Sequence, residues 1–202
     1  MGQTFQPQKS FTAWPLYQYP GWPECYDEDA NLTQDLSGST LPQVRIVASN
    51  DSIIEVDGWL AMPGDLEVDD RYECPQFWFG CHEIDGHTWY EIRCGKLPWQ
   101  GQWKYYGHRV DISRNGYLGL YAAEGVGKVD QSTPLWRLHG LDAQDIAAGK
   151  LLTDLKWVSR DGRAVKRLRE GDFRYYFSME KGGELKMALD VVALGAARPM
   201  MK

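Results

Sequence analysis

Residues 76–94 read QFWFGCHEIDGHTWYEIRC: two runs of strand length, rich in rings and β-branched residues, joined by Asp85–Gly86. An Asp-Gly pair readily takes the positive-φ backbone of a two-residue turn, so the stretch predicts a β-hairpin. The same grammar recurs on both sides. Asp57–Gly58 separates SIIEV from WLAM, Asn115–Gly116 separates VDIS from YLGLY, and Asp161–Gly162 separates LKWVS from RAVKRL. Gly182–Gly183 divides FRYYFSM from LKMALDVVAL, and VRIVAS at 44–49 adds another short run. Runs of four to eight residues with such turns predict an all-β domain. One segment differs: LDAQDIAAGKLLTDLKW, 141–157, predicts a short helix or 3₁₀ turn capped by Asp142 and inserted between strands.

Residues 1–42 have another texture. Pro7, Pro15, Pro20, Pro23 and Pro42 interrupt them, and the acidic tract ECYDEDANLTQDLSGS reads as loop. The expectation is an irregular, aromatic and proline-rich arm on a single all-β domain at 43–202. Trp14, Tyr17, Tyr19 and Trp22 would pack on that domain or form an interaction surface for a protein partner, since rings are costly to leave in water.

Composition narrows the function classes. A chain of 202 residues can bury a core without metal or disulfide support. No run approaches the roughly 18 apolar residues of a membrane helix. The opening MGQTFQPQKSFTAWP lacks the apolar centre of a signal peptide, which predicts cytoplasmic synthesis, with release or carriage in a particle as later fates. Residues 1–100 carry a net charge of -11 and residues 101–202 carry +5. The basic run RDGRAVKRLREGDFR reads as a solvated strand-and-turn surface, and the acidic remainder opposes nucleic-acid binding.

Cys25, Cys74, Cys81 and Cys94 permit free thiols or disulfides, a Cys81–Cys94 bridge across the hairpin among them. The cysteine spacing departs from zinc-site patterns, although His82 and His87 lie nearby. GDLEVDDRYE lacks the calcium-loop spacing, and AAEGVGKVDQS lacks that of a phosphate-binding loop. The sequence therefore predicts no metal and no cofactor. It shows neither a G-x-S-x-G elbow nor an H-E-x-x-H helix, and a non-catalytic role is expected.

Three segments share a local shape: IIEVDGWLAM, VDISRNGYLGL and KWVSRDGRAVKRL, with Gly58, Gly116 and Gly162 at their turns. Threefold recurrence suggests three lobes, near 43–98, 99–141 and 150–202. Three hairpins would close a short barrel and three more would cap it. The stretch ISRNGYLGLYAAEGVGKVDQSTPLWRL, 112–138, resembles one lobe of the β-trefoil families, which include ricin-type lectins and fascin-like modules. The resemblance implies a trefoil barrel; a β-sandwich is the alternative that the same strands allow.

Nine tryptophans and eleven tyrosines exceed what a core of this size needs, which leaves rings for a surface site. A sugar offers an apolar face for stacking and hydroxyls for directed hydrogen bonds. The candidate ligand-binding residues are Asp57 with Trp59, Asn115 with Tyr117 and Trp136, and Asp85 with Trp89. They predict a carbohydrate-binding, lectin-like module, alone or as a homo-oligomer. The competing readings are a protein-interaction or structural protein, such as a toxin-associated subunit, an inhibitor or a virion component, and a glycan-acting hydrolase.

Overall fold

A computed structural model describes residues 3–18, 44–47, 58–63, 72–73, 75–96, 104–122, 133–170 and 174–199. The chain opens with β1 (Gln3–Phe5), a 3₁₀ turn (Pro7–Lys9) and β2 (Phe11–Gln18). Then come β3 (Arg45–Val47), β4 (Leu60–Pro63), β5 (Tyr72–Glu73), β6 (Phe77–Ile84) and β7 (His87–Cys94). The middle holds β8 (Arg109–Ile112), β9 (Leu118–Tyr121), β10 (Trp136–His139) and a 3₁₀ turn (Ala143–Asp145). The last strands are β11 (Leu151–Ser159), β12 (Lys166–Glu170), β13 (Arg174–Ser178), β14 (Gly183–Glu184) and β15 (Lys186–Leu194). The all-β expectation holds. Among the described residues no helix is long and apolar enough to cross a membrane.

Six strands pair in a closed ring, each antiparallel to its neighbours: β2–β6–β7–β10–β11–β15 and back to β2. The ring follows chain order. Alternate side chains point inward, as strand geometry requires. Thus Phe77, Phe79 and Cys81 of β6 meet Tyr90, Ile92 and Cys94 of β7 in one core with Trp136, Trp157, Met187 and Leu189. Closure leaves the ring without a free edge.

Between β2 and β6, between β7 and β10, and between β11 and β15, the chain leaves the ring to make further antiparallel pairs: β3–β4, β8–β9 and β12–β13. These pairs meet one another in a cycle. Trp59 bridges to Gly119, Tyr117 bridges to Ser178, and Tyr176 pairs with Ala61. Each aromatic thus pairs with the residue two positions after the next unit's aromatic. Backbone bonds repeat the pattern, with Leu120 N–H donating to Gly58 C=O and Met179 N–H donating to Gly116 C=O. Gly58 and Gly116 have φ of +88° and +80°, which a side chain would strain. The intervening Leu60, Leu118 and Phe177 are fully buried.

Several expectations are corrected here. The arm expected over 1–42 is not irregular throughout: Phe11–Gln18 is a ring strand, paired with β6 on one edge and β15 on the other. Trp14 and Tyr17 are therefore wall residues, 7% and 3% exposed, and not an interaction surface. Tyr19 and Trp22 lie outside the described residues. Asp161–Gly162 forms a turn as expected, but it joins β11 to β12 and so is not the counterpart of the turns at Gly58 and Gly116. Cys81 and Cys94 are free and buried, because they face different partners, Tyr90 and Phe77, along the hairpin. The predicted Asp85–Gly86 turn is present, with φ of 49° and 75°. Asp142 caps the 3₁₀ turn by accepting from Gln144 N–H.

Candidate functional site

The structure separates the predicted ligand-binding residues. Trp136 is 1% exposed and packs against Trp157 at 6.5 Å inside the ring, so it is a core residue and no surface stacker. Its place is fixed by alternation: Trp136 and Leu138 face inward, and Arg137 faces outward. Asp57 lies outside the described residues. Asn115 is exposed at the turn between β8 and β9.

Trp59 and Tyr117 do come together, although they are 58 positions apart. Their rings stack at 4.3 Å with an interplanar angle of 8°. Tyr176, which the sequence reading missed, meets both edge-on at 5.7 and 5.9 Å. Each stacked ring therefore spends one face on the other. A Cβ at Gly119 would lie 3.1 Å from Trp59 and 3.2 Å from Tyr121, so the small residue makes room for this arrangement. Burial holds the Tyr121 hydroxyl above its usual range, although hydrogen bonds with Ser113 and Trp59 work the other way.

Asp85 is exposed at the tip of the β6–β7 hairpin, and Trp89 is half-buried two pairs further along. The Arg137 guanidinium lies over the Trp89 ring, 4.6 Å from its centroid. Stacking of this kind is attractive because the aromatic face is the negative end of the ring quadrupole. Beside this pair the wall opens. Among the described residues, β7 and β10 share one register pair, Trp136 with Tyr90. Beyond it lies a surface cleft of about 480 Å³, lined by Thr88, Tyr90, Arg137, Leu138, His139, Leu141, Asp142 and Ala143. Its lining mixes apolar side chains with a hydroxyl, a guanidinium, an imidazole and a carboxylate. Thr88 already donates to Glu83 at 3.1 Å, which leaves its oxygen free to accept.

A second polar cluster lies on the outer wall of the same hairpin. Glu91 is fully buried and takes Arg93 at 2.7 Å and Arg198 at 2.8 Å. His82 stands 3.9 Å away, too far for a hydrogen bond. Trp78 lies flat over Gly80, where a Cβ would come within 2.1 Å of the ring, and its indole N–H donates to Ala196 C=O at 2.8 Å. The cluster therefore ties the C-terminal segment to the barrel wall. Burial pushes the Cys81 thiol up to about 11 and holds that of Cys94 well above its usual range, so neither is poised as a nucleophile. Among the described residues no group of three or more His, Cys, Asp or Glu could hold a metal ion.

The aromatic trio was legible as WLAM, YLGL and YFSM, spaced by 58 and 59 residues. The cleft had no such signal, because its lining comes from β7 and from the segment around β10, about fifty residues apart in sequence. Its chemistry must carry the functional reading, since no family model, no curated protein and no solved structure matches this chain.

Proposed function

We propose that the chain is a carbohydrate-binding module on a β-trefoil frame, with its ligand site in the cleft between β7 and β10. Support for the frame comes from the six-strand ring in chain order and the three added pairs that meet in a cycle. Two aligned sheets of a sandwich would not close in this way.

One observation carries the ligand reading: a concave site where the half-buried Leu141 stands beside the polar side chains of Thr88, Arg137, His139 and Asp142. That combination matches a sugar ring, which has an apolar face and an edge of hydroxyls. Trp89 then serves by holding Arg137. Trp59 and Tyr117 serve the packing of the three units. The test is a glycan array with the full chain and two variants, His139→Ala in the cleft and Asn115→Ala at the β8–β9 turn. Wild-type binding that falls about tenfold or more in His139→Ala and persists in Asn115→Ala supports the cleft. Loss only in Asn115→Ala moves the site to the turn. A silent array over folded protein rejects the reading.

A further inference from the structure

We propose that the cleft selects sugars bearing a carboxylate, with Arg137 as the anion-binding group and Trp89 as the residue that positions it. This deepens the carbohydrate reading and rests on it. The starting point is the state of Arg137. Its side chain points out of the barrel wall, lines the cleft, and meets the Trp89 ring at 4.6 Å. Four other arginines are committed to carboxylates: Arg93 and Arg198 to Glu91, Arg109 to Asp111, Arg163 to Asp161. Arg137 has no such partner among the described residues.

A guanidinium held over an aromatic face by its charge keeps N–H groups turned away from the ring. Those donors form a fork that matches the two oxygens of a carboxylate. The contact with the ring also restrains the side chain, so less rotamer freedom is lost when an anion arrives. A flexible lysine would offer neither the plane nor the paired donors.

The rest of the lining sets the orientation. Asp142 is the one acidic residue of the cleft, and it accepts from Gln144 N–H at 3.0 Å. Its charge favours sugar hydroxyls, which donate, and disfavours a second carboxylate. The anionic group of the ligand therefore belongs at the Arg137–Trp89 end. Leu141, half-buried beside the cleft, offers the apolar contact for the ring, while Tyr90 and Leu138 belong to the core behind it. His139 and Thr88 stand on the two strands that flank the opening.

The experiment compares matched ligands by calorimetry: oligosaccharides ending in glucuronic or sialic acid, their carboxyl-reduced counterparts, and a sulfated oligosaccharide. The full chain is used as wild type, Arg137→Gln, Arg137→Lys and Trp89→Leu, each checked for an unchanged unfolding midpoint. Wild type is expected to prefer the carboxylated ligand by about tenfold or more over its reduced form. Arg137→Gln should remove that preference, and Arg137→Lys and Trp89→Leu should each remove part of it. Equal binding of carboxylated and reduced ligands overturns the inference and leaves the carbohydrate reading standing. So does a preference that survives in Arg137→Gln, or one for sulfate over carboxylate. Silence toward every ligand overturns both.

Discussion

Glu91 has no exposed surface, yet it is held ionised. Burial alone would push its carboxyl up. The nearby His82 imidazole and the close ion pairs with Arg93 and Arg198 outweigh that effect and bring it down to about 2 from an ordinary 4.5. A carboxyl lowered on folding stabilises the native state above its unfolded value and loses that contribution as pH falls through the folded value. The window here runs from 4.5 down to about 2. The shift corresponds to roughly 3 kcal/mol. Glu91→Gln should therefore flatten the acid limb of stability in that window when urea unfolding is followed across pH. At pH 7 the variant should be destabilised by about 3–5 kcal/mol, because Arg93 is left buried without its counter-charge. An acid limb identical to wild type would show that Glu91 is not the group titrating.

At the scale of elements, β2 shows what the sequence hid and why. Proline normally marks an irregular segment, and Pro15 stands inside a strand that the ring cannot close without. The register explains the tolerance. β6 pairs with β2 at Phe11, Thr12 and Ala13 and ends there, while β15 continues past Pro15 on the other edge. The Pro15 carbonyl accepts from Val44 N–H at 2.8 Å, on the edge away from β15. The nitrogen and carbonyl of one residue share an edge, so the N–H that proline lacks would not have joined the β15 ladder. Local signals elsewhere were sound: Asp85–Gly86, Asn115–Gly116 and the Asp142 cap all follow from turn chemistry within a few residues. The order of strands around the ring depends on contacts distant in sequence, such as β2 with β15, which no local pattern encodes. Deleting residues 1–18 should then abolish the native fold, seen as loss of near-ultraviolet dichroism and of dispersed amide resonances. A folded, monomeric product would show that the ring closes without β2.

The whole molecule is held by the cycle of the three added units. WLAM, YLGL and YFSM place an aromatic, a buried apolar residue, a small residue and a second apolar residue in the same order. The small residue, Ala61, Gly119 or Ser178, is the one crossed by a neighbouring unit's aromatic strand position. The repeat was therefore present in the sequence. A reading keyed to Asp-Gly turns selected Gly162 instead, because the join between β12 and β13 carries no Asp-Gly or Asn-Gly pair. Shared packing has an energetic consequence. Leu60, Leu118 and Phe177 are each fully buried in one core cluster, so removing any of them opens a cavity in a core to which all three units contribute. Leu60→Ala, Leu118→Ala and Phe177→Ala should each cost about 2–5 kcal/mol. Each variant should still unfold in a single transition, with the same midpoint by tryptophan fluorescence and by far-ultraviolet dichroism. Paired variants should depart from additivity, because residues bordering one cavity relax together. A separate early transition in one variant, or strict additivity in all pairs, would mean that the three units fold as independent hairpins and that their cyclic pairing contributes little.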